Sequence, residues 1–124
     1  MDKAQAIVSF WNTVSGLPVY DENSIPETAS LPYIACEINT ASFEHDVPLT
    51  ASLYYYDTSW AAISQKAEAI SKKIREMRGS ATLIDGGRVR IWEGETPLCQ
   101  RMADINPDVK RIVLNVMVEF LTDF

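Results

Sequence analysis

From Asp108 to Leu121 the chain alternates, and the run is long enough to put a sheet at the centre of whatever it forms. Ile112, Leu114, Val116, Val118 and Phe120 fall on one side, and Arg111, Val113, Asn115, Met117, Glu119 and Leu121 on the other. A period of two is the mark of a strand, whose successive side chains point to opposite faces. At ~3.3 Å per residue the run reaches on the order of 40 Å, beyond an ordinary single-domain strand. It is expected to bend, or to pair in part outside its own sheet. Its second side is only half polar, so Val113, Met117 and Leu121 call for cover by a helix or a neighbouring subunit.

Shorter segments supply its companions. Tyr33 to Thr40 reads as a strand, and so does Pro48 to Tyr56, where Leu49, Ala51, Leu53 and Tyr55 alternate with Thr50, Ser52, Tyr54 and Tyr56. Ala41 to Val47, polar around Phe43, reads as the hairpin connection between them, which makes the pair antiparallel. Ala81–Ile84 and Arg88–Glu93 flank Asp85, Gly86 and Gly87, a sequence suited to a tight hairpin. Leu17 to Pro32, punctuated by Pro18, Pro26 and Pro32, and Thr96 to Pro107 read as loops. The first is long for a compact domain and is expected to pack against something, such as another subunit.

Two segments carry the helical period instead. Between Asp2 and Val14, residues Ala4, Ile7, Val8, Trp11 and Val14 share a stripe, with Asp2 as cap and Gly16 and Pro18 as the stop. Between Ser59 and Arg78, residues Trp60, Ile63, Ala67, Ile70, Ile74 and Met77 recur at spacings of three and four. Asp57, Thr58 or Ser59 is the expected N-cap, and Gly79 the left-handed residue at the end. The expected fold is α+β: one domain over residues 1–124, with a mainly antiparallel sheet of four to five strands and two α-helices packed on one face.

The residues that carry chemistry are few. Seventeen acidic residues against eleven basic ones give a net charge of −6, a poor footprint for gripping phosphates, so no specific nucleic-acid binding is expected. No window approaches the ~20 consecutive apolar residues of a membrane span, and Met1 to Thr13 lacks the pattern of a signal peptide. The expected site of synthesis is therefore the cytoplasm, where Cys36 and Cys99 are most simply reduced thiols. His45, between Glu44 and Asp46, reads as a solvated turn and not as a metal site, since adjacent loop residues project apart. A thiol enzyme would need His45 to serve Cys36 or Cys99 as base, and no other signature surrounds the thiols. Gly86 and Gly87 join strands and precede no helix, so they form no phosphate cradle. Tyr54, Tyr55 and Tyr56 beside Trp60 suggest the base-stacking platform of an RNA-binding sheet, but only Arg88 and Arg90 offer a nearby basic pair. Packing is the better account, and Tyr54 and Tyr56 join Val113, Met117 and Leu121 as the candidate subunit interface. Lys66, Lys72, Lys73, Arg75 and Arg78 interleave with Glu68 and Glu76 on what reads as a solvated helix face, or one that meets an acidic neighbour in an assembly. No catalytic, cofactor-binding or metal-binding residue is nominated.

The order of segments, more than any one residue, resembles the tail-terminator and head-to-tail joining proteins of long-tailed phages and prophages. The matching stretches are SFWNTVSGLPVYDENSIP, LPYIACEI, LTASLYYYDTSWAAISQKAEAISKKI and PLCQRMADINPDVKRIVLNVMVEFLT, which together cover most of the chain. The resemblance implies a sheet backed by helices and a ring, commonly a hexamer, that caps the tail tube. It implies as partners further copies of the chain, the tail-tube protein and the head connector. It also implies a place in the virion after synthesis in a bacterial cytoplasm, with no enzyme activity and no cofactor. A neighbouring tail-completion or connector protein is the alternative within that family world.

Overall fold

The long alternating segment is the strand on which the rest of the sheet is built, and its pairing explains its length. The computed structural model describes residues 1–40, 46–94 and 98–122. In chain order these form α1 (Lys3–Ser15), β1 (Val19–Asp21), β2 (Tyr33–Cys36), β3 (Val47–Tyr56), α2 (Ala61–Met77), β4 (Thr82–Ile84), β5 (Gly87–Trp92), β6 (Cys99–Met102) and β7 (Val109–Thr122). Along one edge β7 takes β3, from Val47 opposite Val118 to Tyr56 opposite Val109. Along its other edge it takes β6 opposite Arg111–Leu114 and β5 opposite Met117–Thr122. Two short strands thus share one edge of a long one, and every residue of β7 pairs with β3, β5 or β6 on at least one edge.

The sheet is larger than expected: among the described residues it has seven strands in place of four to five, in the order β1-β2-β3-β7-β5-β4 with β6 also on β7. It curls into a half-barrel. The additions are β1 and β6, which lie inside the two stretches read as loops. Three and four residues are too few to display alternation, so pattern reading passes over them. β1 runs parallel to β2, with Val19 opposite Ile34 and Asp21 opposite Cys36, which makes the sheet mixed. β1 ends where the Asn23 amide donates to Asp21 Oδ1 at 2.9 Å. β2 stops at Cys36, short of Thr40. The β4–β5 hairpin is present as read, and its turn is Asp85 and Gly86.

α1 begins with a reciprocal cap: the Gln5 amide donates to Asp2 Oδ1 at 2.8 Å, and the Asp2 amide donates to Gln5 Oε1 at 2.9 Å. It ends at Gly16, whose left-handed φ of 68° suits glycine. Its buried stripe is Ala6, Ile7, Phe10, Trp11 and Val14, while Ala4 and Val8 are only half-buried. The expected stripe was therefore turned by part of a face. α2 starts at Ala61 with Trp60 as an N-cap that makes no side-chain cap. The polar residues nominated as caps build the turn before it: Asp57 Oδ1 accepts from the Ser59 amide and Ser59 Oγ from the Ala61 amide. The left-handed end falls on Arg78 as well as Gly79.

Both helices lie on the same side of the sheet. Ile7, Trp11 and Val14 of α1 and Ile63, Ala67, Ile70 and Ile74 of α2 pack on Ile34, Leu49, Leu53, Ile112, Leu114, Val116 and Val118. Because both helices are spent there, the other face of the sheet carries no helix among the described residues.

Candidate functional site

The helix-free face is the surface that needs explaining, and strand parity decides who is on it. Tyr54 pairs with Tyr33 on one side and Arg111 on the other, and Arg111 pairs with Met102. These four residues therefore stand in one row across β2, β3, β7 and β6. Tyr20, from β1, extends it: its ring centroid lies 5.5 Å from that of Tyr33 at 82°, and the Tyr33 and Tyr54 centroids lie 5.5 Å apart at 50°. The Arg111 guanidinium closes the row 5.7 Å from the Tyr54 ring centre while its Nε donates to Ser52 Oγ at 3.0 Å. Burial, with neighbouring Tyr54, Tyr20 and Asp104 adding to it, raises the Tyr33 hydroxyl above its ordinary pKa. The tyrosines spend their faces and edges on one another, as a packed aromatic row does.

Further along β7 the same face carries Val113 between Ser52 and Gln100, Met117 between Pro48 and Trp92, and Leu121 opposite Arg88. Arg90 approaches Glu119 at 3.6 Å and lies 5.2 Å from the Trp92 ring centre. All five residues nominated from sequence, Val113, Met117, Leu121, Tyr54 and Tyr56, are thus on one face, though not in one patch. Tyr56 stands at the Val109 end of β7 and Leu121 near the other, roughly 40 Å of strand away at ~3.3 Å per residue. Tyr56 is 66% exposed and Leu121 49%, whereas Val113, Met117 and Tyr54 are half-buried. Sequence reading missed Tyr20, Tyr33 and Met102. Tyr20 and Met102 sit on strands too short to be seen, and nothing in a single strand's pattern says which tyrosines of two strands will align.

Cys36 is not placed as a nucleophile. Cys36 is fully buried on the helix side, and burial, with Asp21 adding to it, pushes its thiol up to about 11. A neutral, enclosed thiol is a poor nucleophile. Cys99 Sγ lies 3.1 Å from Ser71 Oγ, beside α2. The His45 base and the Glu44–His45 metal reading lie outside the described residues, among which no group of three or more His, Cys, Asp or Glu is placed to hold a metal ion. Among the described residues no helix is long and apolar enough to cross a membrane.

The fold has a counterpart. A chain in a solved structure described as the "Virion of native gene transfer agent (GTA) particle" superposes with a TM-score of 0.61, covering 86% of this chain and 81% of that one at 18% identity. At that identity the likeness is one of fold. No protein-family model and no curated protein matches the chain.

Proposed function

We propose that this protein is a structural subunit of a phage-like virion, and within it the tail terminator, a ring that caps the tail tube and joins it to the head connector. The observation that carries the reading is the fold shared, over most of both chains, with a component of a gene transfer agent virion. A sheet whose two helices both lie on one side supports it, since the other face, with Tyr54, Tyr56, Val113, Met117 and Leu121, is then material for contact with other copies or with the tube. On this reading the chain works in the virion without catalysis or cofactor, and its partners are itself, the tail-tube protein and the head connector.

The test is deletion of the gene in its native phage or prophage, followed by electron microscopy of the lysate. Headless tails of uncontrolled length beside filled heads are the expected result. Tails of normal length that still fail to join heads would move the protein to a neighbouring connector role. Normal infectious particles would refute the virion reading altogether.

A further inference from the structure

Charge in this chain is sorted by position in the fold. Seven of the eleven basic residues, but only three of the seventeen acidic ones, lie between Ala61 and Trp92. That span is α2, β4 and β5, and β4 is one border of the sheet. β1 is the opposite border; it ends in Asp21, and the chain leaving it carries the exposed Glu22 and Glu27. Burial is the main upward push on Cys36, and Asp21 and Glu22 add to it. At the basic border Arg78 and Arg88 are exposed; Asp85 in the β4–β5 turn is exposed as well, but its carboxylate is paired with the Met1 amine at 3.2 Å. Among the described residues none of Arg78, Arg88, Glu22 and Glu27 takes part in an ion pair within the chain. Each border strand is three residues long, pairs on one side, and sends an apolar side chain to the helix-free face: Leu83 on β4, 73% exposed, and Tyr20 on β1.

We infer that copies of this chain dock head to tail, the acidic β1 border of one against the basic β4 border of the next, with Leu83 and Tyr20 in the contact. The inference rests on the ring reading above and specifies its contact. A twofold contact through either border sets like charge against like, whereas the two borders together attract. A contact between two different surfaces repeats from copy to copy and closes into a ring when its rotation permits. The borders sit at the two ends of the sheet order, so each copy offers both without folding back on itself.

The experiment uses two double variants of the full chain, Glu22→Lys with Glu27→Lys and Arg78→Glu with Arg88→Glu, followed by sedimentation velocity at low and high salt. All four positions are exposed, and unchanged melting curves establish that the variants fold. The wild-type oligomer is expected to weaken with salt, and each variant alone to associate roughly tenfold or more weakly. Mixing the two variants in equal amounts is expected to restore assembly, because each then meets an opposite border. A general loss of structure cannot be rescued in this way. Wild-type oligomers matched by each variant alone would overturn the border contact and leave the ring standing. A wild-type chain that stays monomeric at every concentration and salt would overturn the ring reading and this contact together.

Discussion

Replacing Gly87 with alanine tests how closely β5 is held against β7. A Cβ built at Gly87 lies 2.0 Å from the Leu121 carbonyl oxygen and 3.0 Å from Leu121 C and Thr122 Cα. All three atoms are backbone, so no flexible side chain is there to give way, and the strands must part. The pairs at risk are Gly87 with Thr122, Arg88 with Leu121 and Val89 with Phe120, and the last of these is buried on both sides. Losing two or three backbone hydrogen bonds at about 1 kcal/mol each, plus part of the apolar contact behind them, comes to roughly 2–4 kcal/mol. For a domain of this size that lowers the melting midpoint by roughly 10 °C. Gly16→Ala is the control. Its Cβ meets nothing within 4 Å, so only the left-handed φ of 68° is penalised, at about 1 kcal/mol. Melting both variants by circular dichroism decides the matter, and equal losses at the two positions would refute the argument from close approach.

The buried thiol sets a direction for alkaline stability. The Cys36 pKa is raised from 9.0 to about 11 in the fold, so its contribution is complete below the unfolded value and is lost as pH climbs from 9.0 toward about 11. Cys36→Ala is expected to flatten that limb of the stability curve, and an unchanged limb would assign the alkaline loss to other groups. Near neutral pH, iodoacetamide followed by peptide mass spectrometry is expected to find Cys99 labelled in the folded protein and Cys36 only after denaturation; early labelling of Cys36 would contradict its enclosure. Tyr56→Ser and Leu121→Ser, both at exposed positions, are expected to change stability by less than about 0.5 kcal/mol while weakening self-association. Association equal to wild type would remove both residues from the interface.

Much of this fold was legible because its largest elements carry long, unmixed periods. β7 alternates over enough residues to identify both of its faces, and α2 repeats its apolar residues through several turns. What escaped was set by tertiary partners. β1 and β6 are strands because neighbouring backbones accept them, β1 on β2 and β6 on β7. The length of β7, which suggested pairing beyond the chain, is accounted for by β6 and β5 following one another along a single edge. The start of α2 slipped because Asp57 and Ser59 satisfy amides in the preceding turn, an equally good use of the same side chains. The candidate surface was half legible: alternation put Val113, Met117 and Leu121 on one side of one strand, but the row through Tyr20, Tyr33, Tyr54 and Arg111 depends on register between strands.

The sorting of charge bears on how a chain with a net charge of −6 would associate with its own copies in the proposed ring. Beyond a Debye length, about 8 Å at physiological ionic strength, two copies have little electrostatic effect on each other. Within it, net charge favours separation for most orientations, and an approach that sets the β4 border against the β1 border is one that brings opposite signs together. Repulsion elsewhere then does useful work: it penalises stacking of helix-free faces in wrong registers, where the apolar side chains alone would be indifferent. In the proposed contact the half-apolar face would supply area and the borders direction. On this argument, raising salt removes orientation before it removes adhesion, so the specific oligomer gives way to irregular association and not to monomer alone.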